Sequence, residues 1–173
     1  LSQKTNELYL LDVCFGLGYN SLVAIKESLK ANPSIKIHID ALENDENVFE
    51  MLKECHSTDD IELIEKYCNF HLGDARKKIH YLKDKTYDAI FFDPFSPKVC
   101  PELWEKDFIK DVVSKAKPGA LISTYSSSRA AKDGFKEAGC EINEGPRCGR
   151  KTGGVLACRR HCEEPKATWQ STY

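Results

Sequence analysis

The chain has 173 residues, 41% of them apolar and 30% charged, with a formal net charge of −2. That describes one ordinary domain with enough chain for a real core, and it excludes a globally basic nucleic-acid binder while allowing a local basic patch. No run reaches the roughly 18 apolar residues of a membrane span, and the start, Leu1 to Asn6, has no apolar stretch of the signal-peptide kind, so the expected location is cytoplasmic.

Leu8 to Cys14 reads as the first strand, closed by the turn Phe15-Gly16-Leu17-Gly18. Tyr19 to Ala31 carries Leu22, Val23, Ile25 and Leu29 at helical spacing. Proline disfavours helix at the residue before it, so Asn32-Pro33-Ser34 is a break. Ile35 to Leu42 is the second strand, with Glu43 at its carboxyl end. Asn44 or Asp45 is expected to cap a helix bearing Val48, Met51 and Leu52. A second helical piece, Asp59 to Lys66, precedes a short strand, Tyr67 to Leu72, and Gly73-Asp74 leads into a basic helix, Ala75 to Leu82.

Tyr87 to Phe92 is the fourth strand, apolar over its last four residues as a central parallel strand should be. Trp104 to Ala116 is predicted helical, Lys117-Pro118-Gly119 a turn, Ala120 to Tyr125 the fifth strand and Ser126 to Ala138 a helix ended by Gly139. One of Ser126, Ser127 and Ser128 is expected as its N-cap. Cys140 to Gly145 and Gly154 to Arg160 read as two late strands with no helix between them, followed by a tail from Glu163. Alternating strands and helices imply an α/β, Rossmann-like, doubly wound and mainly parallel sheet, here with a C-terminal antiparallel strand pair. Residues 1–173 read as a single domain with a core over about residues 8 to 160.

Ligands in such sheets bind outside the carboxyl ends of the strands. Asp12, Glu43, Asp74 and Asp93 sit at four successive ends. Gly16 and Gly18 let the backbone turn sharply against a ligand. Glu43 offers two acceptor oxygens to a ribose diol. Asp74 and the backbone N–H of Ala75 suit an adenine edge, and Asp12 lies where it can help place a ligand ammonium, directly or through water. A dinucleotide wants a third glycine where this chain has Ser21, and it leaves Asp74 without a task. The set therefore suits S-adenosylmethionine as cofactor.

Eight cysteines are spread irregularly without a CxxC pair. Cys158 and Cys162 with His161 come nearest to a ligand cluster but fall short of a four-ligand zinc site, so no metal is expected. Most thiols read as reduced and buried. Arg147, Arg150, Lys151, Arg159 and Arg160 form the one candidate basic patch.

The most distinctive stretch is Asp93-Pro94-Phe95-Ser96-Pro97-Lys98-Val99-Cys100-Pro101-Glu102-Leu103-Trp104. Three prolines make it stiff, which keeps a side chain in place without an entropy loss on binding. Phe95 offers a surface on which a base can stack, whereas Trp104 reads as a core residue under the loop.

Cys14-Phe15-Gly16-Leu17-Gly18-Tyr19-Asn20, then Asp93 to Pro97, then Pro101 to Trp104 resemble the methyltransferase domain of the MnmC family. A weaker Gly149-Arg150-Lys151 element fits the same pattern, and the resemblance covers about residues 8 to 160. It draws Phe15 and Asn20 into the cofactor site. It implies methyl transfer from S-adenosylmethionine to the primary amine of 5-aminomethyl-(2-thio)uridine at the tRNA wobble position. Asp93 would orient the amine and accept its proton. Lys98, Arg147, Arg150 and Lys151 would hold tRNA phosphates.

Family members carry a further N-terminal portion, which this chain is expected to lack. No stretch resembles the FAD-dependent oxidase domain of bifunctional members, so only the methylation step is implied. Two other readings stay open at this point: a methyltransferase acting on a small-molecule amine, and a non-catalytic module that binds cofactor or RNA. An aminopropyltransferase of the spermidine synthase type would want a second Asp beside Asp93, where this chain has Pro94. The sequence assigns no oligomeric state.

Overall fold

The structure is a computed structural model and describes residues 6–145 and 153–160. Its spine is β1 (Glu7–Val13), whose last four residues are buried. β1 pairs in parallel with β2 (Lys36–Glu43) on one side and β4 (Tyr87–Phe92) on the other. β3 (Cys68–Leu72) adds outside β2, and β5 (Ala116–Thr124) outside β4. β7 (Val155–Arg159) lies antiparallel to β5, and β6 (Cys140–Glu144) antiparallel to β7. Among the described residues the order is β3-β2-β1-β4-β5-β7-β6, the doubly wound arrangement with an antiparallel end that the sequence implied. The winding reverses between β1 and β4, and a crevice opens at such a reversal.

Successive side chains of a strand face opposite ways, so a central strand with both faces covered is apolar throughout. Leu11 and Val13 join a core with Ile90, Phe92, Ile109, Val112, Ile122 and Phe135. Leu10 points the other way, into a core with Ile25, Ile37 and Ile39. α5 (Lys106–Lys115) and α6 (Arg129–Glu137) supply the first face, and α1 (Tyr19–Ala31) the second. Phe92 meets the rings of Trp104 and Phe135 edge-on, with centroids 5.2 and 5.6 Å away. Cutting so buried a ring to Ala costs about 3–5 kcal/mol. α2 (Val48–Cys55) and α3 (Thr58–Tyr67) close the outer corner around Leu52 and Ile64. α4 (Ala75–Lys78) runs on as a 3₁₀ turn, Ile79–Tyr81.

Three local expectations change. The helix expected at Trp104 starts at Lys106, because Pro101–Trp104 forms a separate 3₁₀ turn. Trp104 is buried as expected, and its indole N–H donates to Phe95 O at 2.7 Å. Lys117-Pro118-Gly119 does not end a segment but lies inside β5. Tyr87 pairs with Ala116 and Ala89 with Leu121, so these turn residues form a bulge, with Gly119 at φ +82°. Neither Asn44 nor Asp45 caps α2: Asp45 Oδ1 accepts from Asn47 N at 2.9 Å, closing a turn ahead of the helix. The N-cap of α6 is Ser128, whose Oγ accepts from Ala131 N at 3.2 Å.

Candidate functional site

A cavity of about 780 Å³ opens along the carboxyl ends of β1, β2, β3 and β4. Its walls bring together most of the residues marked in the sequence: Phe15, Gly16, Gly18 and Asn20 after β1, Glu43 at the end of β2, Asp74 and Ala75 after β3, and Asp93 and Phe95 after β4.

The first wall is a backbone device. Gly16 and Gly18 have φ of +55° and +70°, and Gly18 forms the N-cap of α1. A Cβ at Gly18 would come within 2.4 Å of the Phe15 ring, whereas one at Gly16 would meet nothing closer than 4.0 Å. Gly18 is therefore required by packing and conformation, and Gly16 leaves the backbone bare toward the cavity. Phe15 is buried as the floor, edge-on to Phe70 at 4.9 Å.

Glu43 braces this turn. Its Oε2 accepts from Gly16 N at 2.7 Å, and its Oε1 accepts from Asn44 N at 2.7 Å and Asp45 N at 2.9 Å. A carboxylate has about four acceptor positions. Glu43 thus has one left for a ligand hydroxyl while these bonds persist, which narrows the expected two-hydroxyl grip on a ribose.

Asp74 is also engaged. It caps α4 through Arg76 N at 3.0 Å and pairs with the Arg76 guanidinium at 2.7 Å. The hydrogen bond from Arg76 holds its carboxyl below the usual range. Arg76 itself lines the cavity, so an adenine amino group would share Asp74 with it.

Asp12, expected to help place a ligand ammonium directly or through water, is fully buried and lines neither cavity, which favours the route through water over direct contact. It stands two residues before Cys14, where the cavity wall begins, on a strand covered on both faces; its Oδ2 accepts from Ser21 Oγ at 2.6 Å and Oδ1 has no partner. Burial pushes its carboxyl up to about 7, against the lowering bond from Ser21 and with help from the charges of Asp93 and Glu43. Ser21, at the missing third-glycine position, is thus the partner of the buried acid.

On the other side, Asp93 is exposed and accepts from Asn20 Nδ2 at 3.2 Å. The loop behind it is stitched to itself. Phe95 O accepts from Trp104 and from Cys100 Sγ at 3.0 Å, and Ser96 O accepts from Val99 N at 2.8 Å. Phe95 stands 76% exposed at the mouth, so it is free to stack rather than a core ring. Lys98 is exposed on the same loop but lines neither cavity. A smaller cavity of about 240 Å³ lies beyond Asp93, toward β5 and β7, and shares Asn20 and Asp93 with the first.

The expected basic patch divides. Arg147, Arg150 and Lys151 lie outside the described residues. β7 runs antiparallel, so Arg159 ends at the amino edge of the sheet, away from the cavities. There its Nη1 donates to Ser114 O at 2.9 Å and to Ala116 O, and Arg160 Nε donates to Gly139 O at 3.1 Å. Those two arginines fasten the sheet edge. None of Ser126, Ser127 and Ser128 lines either cavity. Six described thiols are unpaired, but only Cys140 is buried, which corrects the expectation of mostly buried thiols. Among the described residues no cluster of three metal-ligating side chains occurs, and no helix is long and apolar enough to cross a membrane.

Sequence reading missed Arg76 and Met51 as cavity walls. Met51 was visible only as part of an apolar helix face, and Arg76 only as part of a basic run.

The geometry can be set against known proteins. A family model described as S-adenosyl-L-methionine-dependent methyltransferase matches residues 41–160. The chain belongs to this family. Its cofactor is therefore S-adenosylmethionine, as the strand-end acids suggested. The chain is 32% identical over 168 residues to an uncharacterized protein of Methanocaldococcus jannaschii, covering 86% of this chain and 45% of that protein. It is 26% identical over 170 residues to the tRNA 5-methylaminomethyl-2-thiouridine biosynthesis bifunctional protein MnmC of Leptospira interrogans, covering 84% of this chain and 26% of that one. The crystal structure of MnmC2 from Aquifex aeolicus superposes with a TM-score of 0.73 at 29% identity, over 89% of this chain and 54% of that chain. The chain thus spans about half or less of these relatives' length. For this methyltransferase-family domain, the bare turn at Gly16, the remaining acceptor position on Glu43 and the cavity they enclose fit the nucleoside part of the cofactor.

Proposed function

We propose that this domain methylates the primary amine of 5-aminomethyl-(2-thio)uridine at the wobble position of tRNA, in the cytoplasm. The observation that carries the reading is Asp93: an exposed carboxylate on the wall of the cofactor cavity, held by Asn20 and mounted on a loop braced by three prolines and Trp104. The loop and the glycine turn are also the stretches that resemble MnmC. Bound S-adenosylmethionine supplies an electrophilic methyl carbon whose bond to sulfur breaks toward the sulfur.

The protein's own part is placement and charge. Gly16, Gly18, Phe15, Glu43, Asp74 and Ala75 would hold the cofactor. Asn20 fixes Asp93 from the first turn of α1. An amine attacks only as the neutral base, because an ammonium has no lone pair. The Asp93 carboxylate orients that amine, accepts the proton released as nitrogen takes the methyl, and offsets the positive charge reaching nitrogen. Holding both partners in line removes much of the entropic barrier. Phe95, exposed at the mouth of the larger cavity, would stack against the incoming substrate strand, with Lys98, Arg147, Arg150 and Lys151 on the phosphates.

The test is methyl transfer to tRNA carrying 5-aminomethyluridine, read by mass spectrometry of the released nucleosides. One added methyl on the exocyclic nitrogen is expected. Methylation of free amines with none on the tRNA would overturn the reading in favour of a small-molecule enzyme.

A further inference from the structure

The smaller cavity lies beyond Asp93, on the far side from Glu43 and Asp74. It is walled by Phe91, Ser123, Tyr125 and Leu156, with Gly145 and Gly154 behind them, and it touches the larger cavity through Asn20 and Asp93. Its position follows from the topology. β4 and β5 end at this edge, and antiparallel β7 begins there, so Leu156 pairs with Ser123 beside the carboxyl end of β4. Gly145 N donates to Gly154 O at 2.8 Å, and a Cβ on Gly154 would come within 2.2 Å of Thr124 O. The back wall is therefore closely packed main chain.

Tyr125 is 53% exposed, although it follows directly on β5. Burial first and the nearby charge of Asp93 second hold its hydroxyl above the usual tyrosine pKa, which places the ring in the field of that carboxylate. An exposed aromatic ring, an aliphatic side chain on the neighbouring strand and one carboxylate line a slot for a flat heterocycle bearing a cationic or amine arm.

We infer that this cavity is the pocket for the acceptor base: a splayed-out pyrimidine lies against Tyr125 and Leu156 and extends its aminomethyl arm to Asp93. The inference rests on the tRNA reading above and names which surface of the domain receives the base. Tyr125 and Leu156 act as positioning residues. Splaying a base out of its stack costs a few kcal/mol, and an aromatic platform on the protein offsets it.

The test uses the chain saturated with S-adenosylhomocysteine and an anticodon stem-loop RNA with one 5-aminomethyluridine, followed by fluorescence anisotropy. Tyr125→Ala should weaken binding roughly 5- to 150-fold, the range for removing an aromatic platform under one base. Tyr125→Phe should restore it. Leu156→Trp, which fills the cavity, should weaken it to a similar degree. Affinity for S-adenosylhomocysteine, measured by calorimetry, should stay unchanged in all three.

RNA affinity unchanged in Tyr125→Ala and Leu156→Trp overturns the proposal. So does a loss matched by equal loss of cofactor-product affinity, or no binding of this RNA by the parent chain. A parent chain that methylates the RNA while both variants bind it normally refutes the pocket and leaves the methyl-transfer reading standing. A parent chain that binds the RNA in the expected pattern without methylating it does the reverse.

Discussion

The two halves of the sheet's carboxyl edge are built differently. The half over β1, β2 and β3 is closed by its own main chain. Glu43 takes three backbone N–H groups, Asp74 takes one and a guanidinium, and the turn is held between Phe15 and Gly18. The half over β4, β5 and β7 holds its acid more loosely: Asp93 is held by one amide, with Phe95 and Tyr125 exposed beside it. On the proposed reading, a cofactor shared by many enzymes is met by a braced cradle, and a large particular substrate by side chains that can vary. The difference teaches where substitutions should separate binding of the cofactor from turnover.

The largest effect is expected at the border between the halves. Asp93→Ala should lower methyl transfer to the tRNA roughly 10²–10⁴-fold, the usual worth of a positioned acid–base group. Affinity for S-adenosylhomocysteine should hold, because the cradle is untouched. Turnover and calorimetry on the same preparation check this, and near-normal turnover would remove Asp93 from the mechanism.

Next comes the buried acid beneath the cradle. Asp12 is raised from 3.8 to about 7 in the folded protein, mainly by burial. Between those values the folded state holds a proton that the unfolded chain has released. Stability from this group is therefore full below the unfolded value, falls as pH rises through the window and is lost above about 7. At about 1.4 kcal/mol per unit, the whole change is roughly 4 kcal/mol at most. Asp12→Asn keeps the shape and an acceptor for Ser21 but cannot ionise. Urea melts at pH 5 and pH 8 should show a clearly smaller loss in Asp12→Asn than in the parent. Equal losses would show that Asp12 does not titrate in this window.

Glu43→Ala tests the cradle directly. It should weaken S-adenosylhomocysteine binding by about 1.5–3 kcal/mol, the scale of a hydrogen bond to a charged group, with Tyr125-dependent RNA binding retained. Unchanged affinity by calorimetry would mean that Glu43 serves the turn and not the ligand.

The halves also differed in how far sequence could read them. Cys14 to Asn20, Glu43 and Asp74 are local signals, each at the end of one apolar strand, and the cradle could be assembled from them. Asp12 lies two residues short of Cys14, where the cavity wall begins, on a strand buried on both faces, so it sits in the core and not in the wall. The second cavity was invisible. It joins residues from β4, β5 and β7 that lie far apart in the chain, and only the antiparallel return of β7 brings Leu156 beside Ser123. The same reversal sent Arg159 to the far edge, where a run of basic residues had suggested a single patch.

The smallest effect is expected inside the glycine turn. Cys14 has φ +67°, a left-handed conformation in a residue that carries a Cβ. That conformation costs an L-residue roughly 1–2 kcal/mol. Cys14→Gly removes the strain, but glycine loosens the unfolded chain by about 0.4–1 kcal/mol, and the half-buried thiol loses its contacts. The terms nearly cancel, so urea unfolding should shift by no more than about 1 kcal/mol, the smaller of these costs setting the scale. Cofactor-product affinity should be kept, because Cys14 N and Phe15 N both donate to Leu42 O, at 3.0 and 3.1 Å, and glycine preserves both bonds. A large loss of affinity would show that the thiol itself meets the ligand, and the cradle would then depend on a side chain as the acceptor half does.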